Sequence, residues 1–182
     1  MNRCEAQGQP ASLESIYREH SRFAARIIVR LCGDGTHVQD LLQEVFWAAW
    51  QGHAGYDPGR AAFRTWLYGI ISNKCKQRLR SRRRRREFLE RLDRLQTSGS
   101  SPAPDLALQK KQDAALVHWL LQGLPMKQRE VFVLHELEGK DAPEVATLLG
   151  ISQGTFWSRL HHARKVFNKL AARHLKREEL GS

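Results

Sequence analysis

Cysteine is scarce here and badly spaced for structural chemistry. The three residues, Cys4, Cys32 and Cys75, are odd in number and far apart, which excludes a CxxC zinc knuckle and a disulfide framework and leaves reduced thiols used in packing. Long apolar runs are missing too: none approaches the roughly 20 residues that a membrane-spanning helix needs, so no membrane insertion is expected. The start, MNRCEAQGQP, lacks the apolar stretch of a secretory leader, and the expected location is the cytoplasm. No segment alternates apolar and polar residues between hairpin turns, which excludes an appreciable β-sheet. Catalytic signatures are absent as well. The eight histidines and scattered carboxylates form no HExxH, GxSxG or paired-acid motif, and there is no glycine-rich phosphate loop. The expectation is a chain without enzymatic activity, cofactor or metal. Even the adjacent His161 and His162 point about 100° apart on a helix, which does not suit a shared metal site.

Acidic residues are outnumbered, 19 Asp and Glu against 30 Lys and Arg for a net charge of +11, so a polyanionic partner is expected. The excess is local. Residues 74–94 hold eleven Lys and Arg against three Asp and Glu, whereas residues 1–73 hold seven of each. The stretch TSGSSPAPD, Thr97 to Asp105, is rich in Ser, Pro and Gly without apolar periodicity and reads as a flexible linker. The reading is therefore all-α: a helical domain over 1–96, a flexible linker over 97–108 and a second helical domain over 109–182. The hydrophobic share of 41% is enough for packed cores.

In the first domain, LESIYREHSRFAARIIVRLC is helical and closes at GDG, where glycine permits left-handed backbone. In the next helix Val38, Leu41, Leu42, Val45, Phe46, Ala49 and Trp50 recur at helical spacing as one buried stripe. Asp40, Gln43, Glu44 and Trp47 take the opposite side. Carboxylates repel phosphate, so this face suits a protein partner with Trp47 as anchor; an ordinary solvated helix face is the competing reading. After the loop GHAGYDPGRAAF, a third helix begins near Arg64 and carries Trp66, Tyr68, Asn73, Lys74 and Lys76 ahead of the run Arg82–Arg86. Guanidinium groups that neutralise phosphates release counterions, and aromatic side chains interleaved with cations suit a single strand. Plain core packing competes for Trp66 and Tyr68, and a solvated face competes for the arginine run.

In the second domain, helices are predicted over LALQKKQDAALVHWLLQGL, ended around Gly123 and Pro125, and over MKQREVFVLHELEG, stopped by Gly139. Two more follow, separated only by Gly150, Ile151 and Ser152. Gly150 supplies a C-terminal cap and Ser152 an N-terminal one. With Val145, Leu149, Ile151, Phe156 and Leu160 facing inward and small Ala146 at the crossing, this is a helix-turn-helix pattern. Phe156, Leu160, Ala163, Phe167 and Leu170 form the buried stripe of the last helix. Left for DNA are Gln153, Thr155, Trp157, Ser158, Arg159, His161, His162, Arg164 and Lys165. Thr155, Arg159, Arg164 and Lys165 suit phosphates, while Gln153, Ser158, His161 and His162 suit base edges.

Taken in order, these segments resemble the extracytoplasmic-function (ECF) sigma factors, small two-domain promoter-recognition subunits of bacterial RNA polymerase; the resemblance runs from about Leu13 to Leu170. VQDLLQEVFWAAW resembles the segment that docks on the polymerase β′ clamp helices, which implies contacts from Asp40, Leu41, Gln43, Glu44 and Trp47. FRTWLYGIISNKCKQRLRSRRRR resembles the minus 10 recognition and melting segment. That implies roles for Tyr56, Arg60, Phe63, Trp66, Ser72, Asn73, Lys74, Lys76 and Arg80, with the Gly55–Phe63 loop capturing an unstacked base. LPMKQREVFVLHELEGKDAPEVATLLGISQGTFWSRLHHARK resembles the minus 35 domain, and Trp157, Ser158, His161 and His162 fall on its reading positions. The implied partners are core RNA polymerase through its β′ and β subunits, promoter DNA, and an anti-sigma factor that holds the chain near the membrane. Bound to polymerase, the chain would sit on the nucleoid.

Two departures alter the expectation. Trp157 and His162 stand where the family often has Lys or Arg, which favours thymine-methyl or shape readout over direct guanine contact. Asp141, Ala142 and Pro143 replace the usual Ser, aromatic and Glu at the first helix of the helix-turn-helix, and a proline in the first turn is compatible with initiation. An autonomous helix-turn-helix regulator and a basic RNA-binding protein are the rival readings. Gly181 and Ser182 carry no assignment.

Overall fold

The computed structural model describes residues 12–33, 37–93 and 112–179. The proposed linker over 97–108, Cys4, Gly181 and Ser182 lie outside these. Among the described residues the chain forms seven α-helices and no strand: α1 Leu13–Cys32, α2 Val38–Gly52, α3 Phe63–Asp93, α4 Gln112–Gln122, α5 Met126–Phe132, α6 Ala142–Leu149 and α7 Gln153–Glu179.

Local chemistry fixes most of the boundaries. Ser12 caps α1 by accepting from the Ser15 N–H at 3.1 Å, and Gly33 ends it at φ 83°. Asp141 caps α6 through the Glu144 N–H at 2.8 Å, Gly150 ends it at φ 62°, and Ser152 caps α7 by accepting from the Thr155 N–H at 3.2 Å. The stretch MKQREVFVLHELEG is not one uniform helix. Val133–Leu137 form a π-helical turn after α5, and such one-turn insertions rotate the side chains that follow.

In the first domain α1, α2 and α3 pack on one another. The α2 stripe of Leu41, Leu42, Val45, Phe46 and Ala49 is buried there with Ile27, Ile28, Leu31, Leu67, Tyr68 and Ile71. Cys32 and Cys75 are free, buried and hydrogen-bonded to each other; that hydrogen bond and burial push the Cys75 thiol up, so it stays protonated. In the second domain α7 packs on α4, α5 and α6, with Phe156, Leu160 and Ala163 buried.

The two domains are not separate beads. Helix α1 packs against α4 and α5, α3 packs against α6, and the buried apolar residues of both form one continuous cluster. Gly33 matters at this seam: a Cβ there would lie 2.3 Å from Gln122 of α4.

Candidate functional site

The acidic and amide face of α2 is open. Asp40, Gln43 and Glu44 are exposed and Trp47 is 57% exposed, a large indole with no packing reason to be there. Helix α2 packs against α1 and α3 rather than against the second domain, so the face looks outward. Leu41 requires a correction. It is 2% exposed within the core, because it belongs to the apolar stripe on the opposite side, and its role is packing rather than contact.

Around the start of α3 the aromatic residues gather into a box. Tyr56 meets Phe63 and Trp66 with ring centroids 5.3 Å apart in both pairs, Phe63 meets Trp66 at 5.3 Å, and His20 of α1 stacks on Phe63 at 4.6 Å. The Tyr56 hydroxyl donates to the Ala61 carbonyl at 3.0 Å and folds the loop on itself. Arg60 is exposed at its tip. Trp66 is half-buried at the surface, whereas Tyr68 lies fully in the core. Burial raises the Tyr68 phenol well above its usual range.

Further along α3, Asn73 and Arg80 are exposed, and Lys74 sits 3.6 Å from Glu44 of α2. Ser72 and Lys76 are not open: the Ser72 hydroxyl donates to Glu130 of α5, and the Lys76 ammonium lies 2.7 Å from the same carboxylate. The arginine run is solvated over Arg83–Arg86, with Arg83 on Glu87 at 2.7 Å and Arg86 on Glu90 at 3.4 Å, both one helical turn away.

Helix α7 presents Gln153, Trp157, Ser158, His161, His162, Arg164 and Lys165 to solvent, while Thr155 and Arg159 are half-buried. Trp157 is braced edge-on by Phe156 at 4.9 Å and by His135 at 6.2 Å, so half of an otherwise mobile side chain is fixed. His162 Nδ1 approaches the Ser158 carbonyl at 2.7 Å. Arg164 Nε donates to Glu136 at 2.8 Å, which steers the guanidinium along the edge of the helix. These residues form one exposed, mainly polar and basic face, the shape and chemistry of a major-groove reader.

Sequence reasoning missed the residues that join the two domains. Glu130 and Glu138 of the second domain find their partners in the first: Glu130 with Ser72 and Lys76, and Glu138 with Arg26 at 2.9 and 3.0 Å and with Arg30. Arg129 donates to the Leu31 carbonyl at the end of α1 and to the Gln122 and Leu124 carbonyls, both at 2.9 Å. His118 Nε2 meets the Gly33 carbonyl. The segment MKQREVFVLHELEG carries Lys127, Arg129, Glu130, Glu136 and Glu138, so nothing in the sequence set the seam residues apart from ordinary helix-surface charges.

Comparison with known proteins agrees with this geometry. Residues 16–85 match the Sigma-70 region 2 family, and residues 115–166 match Sigma-70 region 4. The ECF RNA polymerase sigma factor SigE of Mycolicibacterium smegmatis is 31% identical over 175 residues, covering 93% of this chain and 66% of that protein. The RNA polymerase sigma-H factor of Pseudomonas aeruginosa is 31% identical over 173 residues, covering 90% of this chain and 88% of that one. Among solved structures, the sigma factor RpoE in complex with the anti-sigma factor NepR from Bartonella quintana shares the fold. It has a TM-score of 0.66 and 23% identity, and covers 87% of this chain and 96% of that one. With both regions matched in order and the relatives aligned across nearly the whole length, the chain belongs to the ECF RNA polymerase sigma factors.

Proposed function

We propose that this chain docks on bacterial core RNA polymerase through the α2 face, engages the minus 10 element with the aromatic box and α3, and reads the minus 35 element with α7. The observation that carries this reading is one of placement. An exposed carboxylate and amide face with an open indole, unsuited to DNA, occurs in one chain with a helix-turn-helix whose outer face is basic, and both faces are turned to solvent. A protein-binding surface and a DNA-reading surface on one small chain are what a promoter-specificity subunit requires.

In this reading Trp47 is the anchor, with Asp40, Gln43 and Glu44 around it. Tyr56, Phe63 and Trp66 offer ring faces for an unstacked base. Arg60, Asn73, Lys74 and Arg80 hold the strand, and Lys76 reaches it only on parting from Glu130. On α7, Arg159, Arg164, Lys165 and Thr155 set register on phosphates, and Gln153, Trp157, Ser158, His161 and His162 face the base edges. RNA synthesis is the polymerase's chemistry, and this chain contributes binding and positioning alone. An anti-sigma factor is the expected inhibitor, supported by family membership and by the complex in which the RpoE neighbour was solved. Among the described residues no helix is long and apolar enough to cross a membrane.

The test is promoter-dependent transcription by purified core polymerase over a randomised promoter pool, with the wild type or Asp40→Ala/Gln43→Ala. Initiation with the wild type that fades in the double variant is expected. A chain that neither binds core polymerase nor initiates from any template would instead be an autonomous regulator.

A further inference from the structure

The carboxylates at the seam suggest more than adhesion. Glu130, 2% exposed, lies against Ser72 and Lys76 on α3, and Glu138 lies against Arg26 and Arg30 on α1. In both clusters an anion of the second domain occupies hydroxyl, ammonium and guanidinium donors of the first, the same donor types that hold a nucleic-acid phosphate. Both carboxylates have these partners across the seam, so neither is placed there to stabilise its own domain. The other two surfaces remain uncovered: α2 turns its Trp47 face away from the second domain, and the outer face of α7 is exposed.

We propose that the second domain is a built-in latch: Glu130 stands in for a phosphate at Ser72 and Lys76 and masks that part of the α3 DNA face, Glu138 ties the domain down on Arg26 and Arg30 of α1, and the polymerase-docking and minus 35 faces stay open. The proposal rests on the reading of α3 as the minus 10 face. The balance of forces suits a latch. Burying Glu130 and Glu138 costs much of what their attraction to these donors returns, so the charge pairs add little net free energy to the apolar contacts that close the seam. DNA or polymerase contacts can then tip it. An affinity seen only in the open form is lowered by the fraction of chains that are open.

The test uses the full chain with donor and acceptor dyes at Gln51→Cys on α2 and Asn168→Cys on α7, Cys4 being replaced by serine. The wild type should give one high-transfer population. Glu138→Arg places a cation against Arg26 and Arg30 and should shift the chain to low transfer, with helical circular dichroism unchanged. Adding Arg26→Glu/Arg30→Glu restores opposite charges and should bring high transfer back, a rescue that misfolding would not produce. Glu130→Gln should shift it part of the way. Binding of a fluorescent single-stranded DNA of random sequence should tighten by about tenfold in Glu138→Arg. It should tighten far less in Glu144→Arg, which adds the same charge on the exposed side of α6.

A wild type already at low transfer, or a charge reversal that leaves transfer high, overturns the latch. Opening without the DNA gain overturns its masking role. If polymerase holoenzyme carrying this chain also fails to bind a minus 10 strand, the assignment of the α3 face is at fault, and the distance measurement does not depend on that.

Discussion

At the scale of single residues, Leu41 and Trp47 show that helical spacing divides a helix into roles where resemblance to a whole segment does not. The two lie within one family-like segment, yet one is 2% and the other 57% exposed. Leu41→Ala should cost about 2–5 kcal/mol of stability, because it removes buried methyl groups and leaves a cavity. Trp47→Ala should leave stability within about 0.5 kcal/mol while weakening core-polymerase binding by at least about tenfold. Chemical denaturation and a polymerase-binding titration on both variants check the pair; a stable Leu41→Ala would undo the assignment to the core. His20 supplies a second contrast. It stacks on Phe63, and burial lowers its pKa, with Glu19 opposing and Arg64 assisting. Below its ordinary value of about 6.5 the unfolded chain binds a proton that the folded chain resists, so stability falls as pH falls through that window. Melting temperatures at pH 7 and pH 5 should show a drop that shrinks in His20→Phe; an equal drop in both would remove His20 as its source.

Among the helices, α7 was the most legible in sequence and α5 with its π turn the least. The α7 stripe of Phe156, Leu160 and Ala163 is written in apolar spacing, and its start is written in Gly150 and Ser152, whose caps form as their chemistry requires. The π turn over Val133–Leu137 has no marker of its own. Glu136 in this turn lies beside Arg164, and Glu138 just after it lies beside α1. Arg164→Gln should lower the salt dependence of DNA binding by about 0.9 in the slope of log affinity against log salt, the share of one phosphate contact. Titrations of a minus 35 duplex at several salt concentrations measure it. An unchanged slope would mean that Glu136 keeps this guanidinium from DNA.

For the whole molecule, composition suggested two domains on a flexible tether, and both domains are present. Their union was not legible, because Arg129 and Glu130 look like ordinary helix-surface charges until burial of 5% and 2% shows otherwise. Arg129 connects the two most directly. Its guanidinium belongs to the second domain, but one of the carbonyls it satisfies is Leu31 in the last turn of α1, where a cation also complements the helix dipole. Burial lowers the Arg129 pKa, so the charge is held in place by these carbonyls rather than by water. Unfolding either half would strip the other of a hydrogen-bond partner and of part of the common core. Calorimetry on the full chain should therefore record a single heat-absorption peak, with van't Hoff and calorimetric enthalpies equal. Two resolved peaks in the wild type would mean that the closed seam does not couple the unfolding of the two halves, whereas Glu138→Arg, open at the seam, should resolve them. The helix end that Arg129 completes thus joins two sequence modules into one cooperative unit.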